Sequence, residues 1–184
     1  MRADVKGSVI AVSADASHRF SKPPKPCIKL IADFGIEGDA HAGKFIQHRY
    51  LSKRAPALPN NRQVHLIQSE LFSDLVDLGF VLTPGDLGEN ITTAGIDLLS
   101  LPLGSLLHLG TQAVVQLTGL RTPCGYIDRF QKGLKRTMIL RTPHGPRFRA
   151  GVMSVVTQSG IVRAGDAVVL EFPMKPWSEL PALP

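Results

Sequence analysis

The apolar residues of this chain fall into short runs broken by glycine, and that pattern constrains the fold more than any other feature. The runs lie at residues 5–12, 28–32, 63–67, 105–109, 112–118, 151–157 and 166–172. They are rich in valine, isoleucine and leucine, and most are too short for a globular helix, so they read as strands. Gly110 separates two of them and the segment QSGIVRAG separates the last two, as hairpin turns would. One stretch has a different period. SELFSDLVDLG at 69–79 puts Leu71, Phe72, Leu75, Val76 and Leu78 on one helical face, with Ser69 to cap its start and Gly79 to end it. A weaker helical pattern at 128–139 is interrupted by Gly133. Strands, one good helix, then more strands predict a mainly β fold with a few peripheral helices, a barrel or sandwich rather than a doubly wound sheet.

With 184 residues the chain suits one domain with a real core. The strand pattern sets that domain at 1–172. Residues 173–184, PMKPWSELPALP, form a proline-rich tail beyond it, expected to be an extended, weakly ordered arm. No apolar run approaches the roughly 20 residues of a membrane-spanning helix, and charges interrupt the amino-terminal apolar stretch, so neither a membrane span nor a signal peptide is expected. Two cysteines, Cys27 and Cys124, exclude a disulfide scaffold and a cysteine-rich zinc site. A cytoplasmic protein with free thiols is the expectation.

The net charge is +6, and it is unevenly spread. Residues 44–62 hold five basic side chains and no acidic one, and residues 121–149 hold eight against Asp128 alone. The rest of the chain is net acidic. Two such segments form either an anion-attracting surface, if they meet, or two solvated loops.

Three glycine-rich segments carry polar groups that could do chemistry. In GIEGDAHAGK, 35–44, Asp39 and His41 are two apart, so on an extended strand they would share a face and could hold a metal or a polar ligand. The alternative is a turn whose aspartate satisfies its own backbone. In TPGDLGENITT, 83–93, glycines bracket Asp86 and lead to Glu89 and Asn90, which suits an anion nest or a wide turn. No Gly-Lys-Ser/Thr follows, so this is no Walker loop. In LTGLRTPCGYID, 117–128, Pro123 stiffens a turn that presents Cys124 three residues after Arg121. A neighbouring guanidinium favours a thiolate, the form that reacts and binds soft metals, and this thiol is expected to be partly accessible. A buried structural cysteine is the alternative. Cys27 has no such context. The histidines His18, His48, His65, His108 and His144 are scattered, and no Ser/His/Asp order emerges. His65 and His108 alternate within strand patterns as structural residues do.

Taken in order, GIEGDAHAG, RQVHLI, GDLGENITT, LTGLRTPC and IVRAGD resemble the MOSC family, named for the carboxy-terminal domain of molybdenum cofactor sulfurase. The resemblance spans roughly residues 7–172 and is closest to small stand-alone bacterial members. It implies a MOSC-type β-barrel and two kinds of activity. One is reduction of N-hydroxylated compounds, such as hydroxylaminopurines, by a bound molybdenum cofactor (molybdopterin). The other is transfer of persulfide sulfur from a cysteine to a metal–sulfur centre. In the reductases a cysteine matching Cys124 binds the molybdenum, and Asn90 matches a cofactor-contacting position. The set expected to contact the cofactor is Asp39, His41, Asn90, Thr92 and Arg121, with Cys124 as metal ligand and catalytic group. Two departures stand out: Thr122 and Pro123 separate Arg121 from Cys124, and Gly88 stands where the eukaryotic reductases carry arginine. The sulfurase's pyridoxal-phosphate domain has no counterpart here, so that cofactor is not expected.

An anionic pterin agrees with the basic segments, a small-molecule substrate with a pocket, and a redox or sulfur-donor protein with the need for electrons or sulfur. A nucleic-acid-binding barrel is the weakest reading. CGYIDRFQKGLKR interleaves Tyr126 and Phe130 with basic residues, but the chain is only 6% aromatic.

Overall fold

The computed structural model describes residues 2–47, 54–55, 57–143 and 145–183. His48 and His144 lie outside these ranges, as do Arg49 and Lys53, two of the five basic side chains of the 44–62 segment. Seven strands close a barrel in the order β11 (Val152–Gln158), β5 (Val64–Gln68), β6 (Ile91–Ala94), β1 (Arg2–Ser13), β13 (Ala167–Glu171), β7 (Leu106–Leu109) and β8 (Ala113–Arg121), with β8 pairing back to β11. All these pairings are antiparallel except β5 with β6. A closed barrel leaves no strand edge open, which is how a chain of short strands satisfies its backbone. β2 (Pro24–Lys25) pairs with the end of β1. β3 (Ile28–Ile31), β4 (Gly35–Ile36) and β12 (Gly160–Val162) form a small separate sheet, and β9 (Ile139–Thr142) with β10 (Gly145–Phe148) a hairpin. The last strand, β14 (Ala182–Leu183), runs parallel to the end of β8.

Alternation along each strand sorts the core into two parts. Leu66, Ile91, Leu107, Leu117, Val152 and Val168 face into the barrel. A second cluster, with Ile67, Leu71, Leu75, Ile127 and Met138, lies between the barrel wall and three short helices, α1 (Glu70–Val76), α2 (Gly125–Phe130) and α3 (Leu134–Thr137).

Two local expectations need correction. The helix at 69–79 ends at Val76, and Leu71, Phe72 and Leu75 are buried while Val76 and Leu78 are exposed. Gly79, with φ of 83°, and the Phe80 N–H bond to Leu75 O close that end, but the Ser69 side chain makes no cap bond. The pattern at 128–139 is two helices, parted by Gly133 in the left-handed region. The tail also differs from a loose arm. Leu180 is buried in the barrel core and β14 is hydrogen-bonded to β8. No helix among the described residues is long and apolar enough to cross a membrane.

Candidate functional site

His65 on β5 and Met153 on β11 are cross-strand neighbours, and Arg121 ends the adjacent β8. Each stands next to an inward-facing residue, Leu66, Val152 and Leu120. The pleat therefore turns all three to the outer wall of the barrel. There they floor a cavity of about 300 Å³. Its sides come from the segment after β1 (His18, Arg19, Phe20, Lys22), from His41, Asn60 and Arg62, from Gly88 and Asn90, and from Thr122, Cys124 and Tyr126. All three glycine-rich segments thus contribute to one cleft, through His41, through Gly88 with Asn90, and through Arg121, Thr122 and Cys124.

The lining has a strong sign. It holds Arg19, Lys22, Arg62 and Arg121, three histidines, and no carboxylate among the described residues. The carboxylates stand behind it. Lys22 Nζ lies 2.7 Å from Asp39 Oδ2, with both side chains almost fully buried. Arg19 Nε lies 2.7 Å from Asp15 Oδ2. Arg121 differs: among the described residues it makes no salt bridge, and its Nη1 donates to Leu87 O while Phe20 lies 5.7 Å from the guanidinium carbon. Burial pushes the Arg121 pKa down, and Cys124 and Glu89 are the groups that hold it up. A partly desolvated guanidinium without a carboxylate salt bridge is costly, and an anion in the cavity would relieve that cost.

Asp39 and Asn90 organise the wall. Asp39 Oδ2 accepts from Lys22 Nζ, Asn90 Nδ2 at 3.1 Å and the Asp15 N–H, while Oδ1 accepts from the His41 N–H at 2.9 Å and faces His41 Nδ1 at 3.3 Å. Although burial alone would raise it, the Asp39 pKa is held well below the usual carboxylate range by His41 and Lys22. The turn in which an aspartate satisfies its own backbone is therefore present, and His41 rather than Asp39 lines the cavity. With Nδ1 donating to Asp39, His41 keeps Nε2 as an acceptor, and burial pushes its pKa down. Asn90 accepts from the His65 N–H and donates to Ser13 O, so it ties β1, β5 and the 35–44 turn together at the cavity wall. Thr92 is buried behind the lining, bonded to Glu89 Oε1.

Glu89 itself is fully buried. Its Oε1 accepts from the Gly85 N–H at 2.6 Å, its Oε2 has no partner among the described residues, and burial pushes its pKa up. Gly88 sits at φ of 80°, and a Cβ there would stand 2.4 Å from Phe20 O. That close approach lets the Phe20 backbone lie against the Gly88 turn. Phe20 in turn stacks on Tyr126 at 6.2 Å.

Cys124 is half-buried, begins α2, and packs partly against the second core cluster. Cys27 is exposed and does not line the cavity. No group of three or more metal-ligating side chains occurs among the described residues; Cys124 is the thiol that lines the cavity, beside the thioether of Met153. The sequence singled out none of His18, Phe20, Lys22 or Arg62 as site residues. Lys22 and Arg62 offered only their charge, and His18 and Phe20 stood in no glycine-rich motif.

Comparison with known proteins fits this architecture. The chain resembles the YuaD protein from Bacillus subtilis with a TM-score of 0.75 and 20% identity, over 95% of this chain and 100% of that one. It resembles YiiM from Geobacillus stearothermophilus at 0.63 and 19%, over 90% and 75% of the two chains. For YiiM from Escherichia coli the values are 0.56 and 17%, over 97% and 73%. No curated protein matches the sequence. The family model for the MOSC domain matches residues 53–169, which include β5, β6, the Gly88–Asn90 wall and the Cys124 loop, and the chain therefore belongs to the MOSC family.

Proposed function

We propose that this protein binds molybdenum cofactor in the cavity and reduces small N-hydroxylated compounds, such as hydroxylaminopurines. The observation that carries this reading is the pairing of Arg121, half-buried and without a carboxylate salt bridge among the described residues, with the Cys124 thiol in a cavity lined by cations. The donor set fits the group. A soft sulfur ligand suits molybdenum, and guanidinium groups suit a phosphate or dithiolene anion. Cys124 would hold the metal; Arg121 and Arg62 would hold the anionic parts. The cofactor, once bound, supplies the two-electron chemistry that removes oxygen from nitrogen. The chain's own residues bind and orient. Phe20 lies over the Arg121 guanidinium and stacks on Tyr126, and the Asp39–Lys22–Asn90 network fixes the wall against which His41 and Asn90 stand.

The test compares Cys124→Ser with Cys27→Ser in protein made in a cofactor-competent host. Serine keeps the size but replaces a soft donor by a hard, mostly protonated one. Cys124→Ser is expected to lose molybdenum and N-hydroxypurine reduction with an unchanged thermal melt, and Cys27→Ser to retain both. Full activity in Cys124→Ser, or equal loss in both, overturns the reading. Wild-type protein carrying a persulfide on Cys124 and no molybdenum would identify a sulfur carrier instead.

A further inference from the structure

We infer that the carboxy-terminal segment 178–183 is a positioning strap for the loop that carries Arg121 and Cys124. Strand β7 pairs with β8 only as far as the Leu106–Gln116 register, after which the Leu117 N–H bonds Ser105 O. Beyond that point β8 would present an open edge on the side that β7 has left. The tail fills it. Leu180 drops into the barrel core, the Leu120 N–H donates to Pro181 O at 2.8 Å, and Ala182 and Leu183 pair with Leu120 and Arg121. Thr122 Oγ1 then donates to Leu183 O. On the opposite edge the Arg121 N–H donates to Gly151 O at 3.0 Å. Both edges of the strand are thus held up to Thr122, and the stiff Pro123 is all that lies between that clamp and Cys124.

The sequence of β8 is fitted to the strap. A Cβ on Gly119 would lie 2.6 Å from Pro181 O and 2.7 Å from Leu183 Cγ. Any other residue there pushes the tail away, since the closer atom is backbone. None of the strap's own residues lines the cavity. The strap acts through the strand end, which makes its residues positioning residues.

The inference rests on Cys124 being the reactive group of the cavity, and its test needs no cofactor. Iodoacetamide alkylation of Cys124 is followed by mass spectrometry on metal-free protein, with Cys27 in the same molecule as the reference. Cys124 is half-buried against the second core cluster, so a released loop exposes it. Deletion of 178–184 is expected to raise the Cys124-to-Cys27 rate ratio roughly threefold or more, as expected for loss of a local clamp. Gly119→Ala should do the same in the full chain. The two changes combined should do no more than the deletion alone, because the added methyl then has nothing to meet. A cooperatively melting deletion variant with an unchanged ratio overturns the inference, and so do additive effects. If the deletion variant does not fold, Gly119→Ala decides alone: a raised ratio with a cooperative melt supports the strap, and an unchanged ratio refutes it. Either result leaves the molybdenum reading to its own test.

Discussion

Asp39 shows at the scale of one residue how the site is held. Its carboxylate is the acceptor for a buried lysine, a buried asparagine and two backbone N–H groups, so it is a structural hub rather than a ligand for the cavity. Removing one partner of a buried ion pair leaves the other charge unpaired, at a cost of about 3–5 kcal/mol. Asp39→Asn is expected to lose stability on that scale at pH 7. The sign with pH follows from the depressed native pKa. An aspartate ionises near pH 3.9 when unfolded, so its contribution is complete above about pH 4 and is lost as pH falls toward the native value. The gap between wild type and Asp39→Asn in urea unfolding should therefore narrow at pH 3. Asp15, whose pKa is lowered to about 2, is present in both proteins and drops out of the difference. A gap of the same size at both pH values would contradict this account.

Among the elements, helix α1 has a clear inner face and a clear outer one. Leu75 is fully buried in the second cluster, whereas Val76 is 55% exposed. Emptying a packed leucine site costs about 2–5 kcal/mol, while trimming an exposed side chain changes stability by about 0.5 kcal/mol or less. Leu75→Ala should fall in the first range and Val76→Ala in the second, by chemical denaturation. Sequence alone placed both residues on the buried face, but Val76 lies at the edge of the arc that Leu71, Phe72 and Leu75 share, and Leu78 lies beyond the helix's end. The stop is made by Gly79 and by the Phe80 N–H reaching back to Leu75 O.

For the molecule as a whole, the excess positive charge is partly concentrated on the cavity, with its acidic partners behind the lining. An anion entering the cavity is drawn by unscreened cations at low salt, and the Debye length shortens from roughly 10 Å at 0.1 M to about 3 Å at 1 M. Pyrophosphate is expected to raise the melting temperature of cofactor-free protein at low ionic strength, with the gain shrinking as sodium chloride is raised toward 1 M. Arg121→Met should abolish most of the gain. A gain independent of salt, or retained in Arg121→Met, would show that the anion binds elsewhere. No comparable effect is expected from a neutral sugar.

The chain's short, glycine-punctuated strands were enough to determine a mainly β architecture, because the period of two and the length of each run are local properties. The glycine-rich segments were legible for the same reason: their composition marks loops that bring polar backbone together, and all three do reach the cavity. What the sequence could not show is which of their side chains face inward. Asp39 and His41 differ in that respect only because the turn closes on the Asp39 carboxylate. Phe20, Lys22 and Arg62 join the cavity through strand order, which brings the end of β1 beside β6 and β5 although the chain separates them widely. The tail is the sharpest case. Its prolines give it no pattern of its own, and it becomes a strand because β7 ends early and leaves the hydrogen-bonding groups of β8 unpaired. A backbone edge that must be satisfied is a property of the assembled barrel, and only tertiary structure decides what satisfies it.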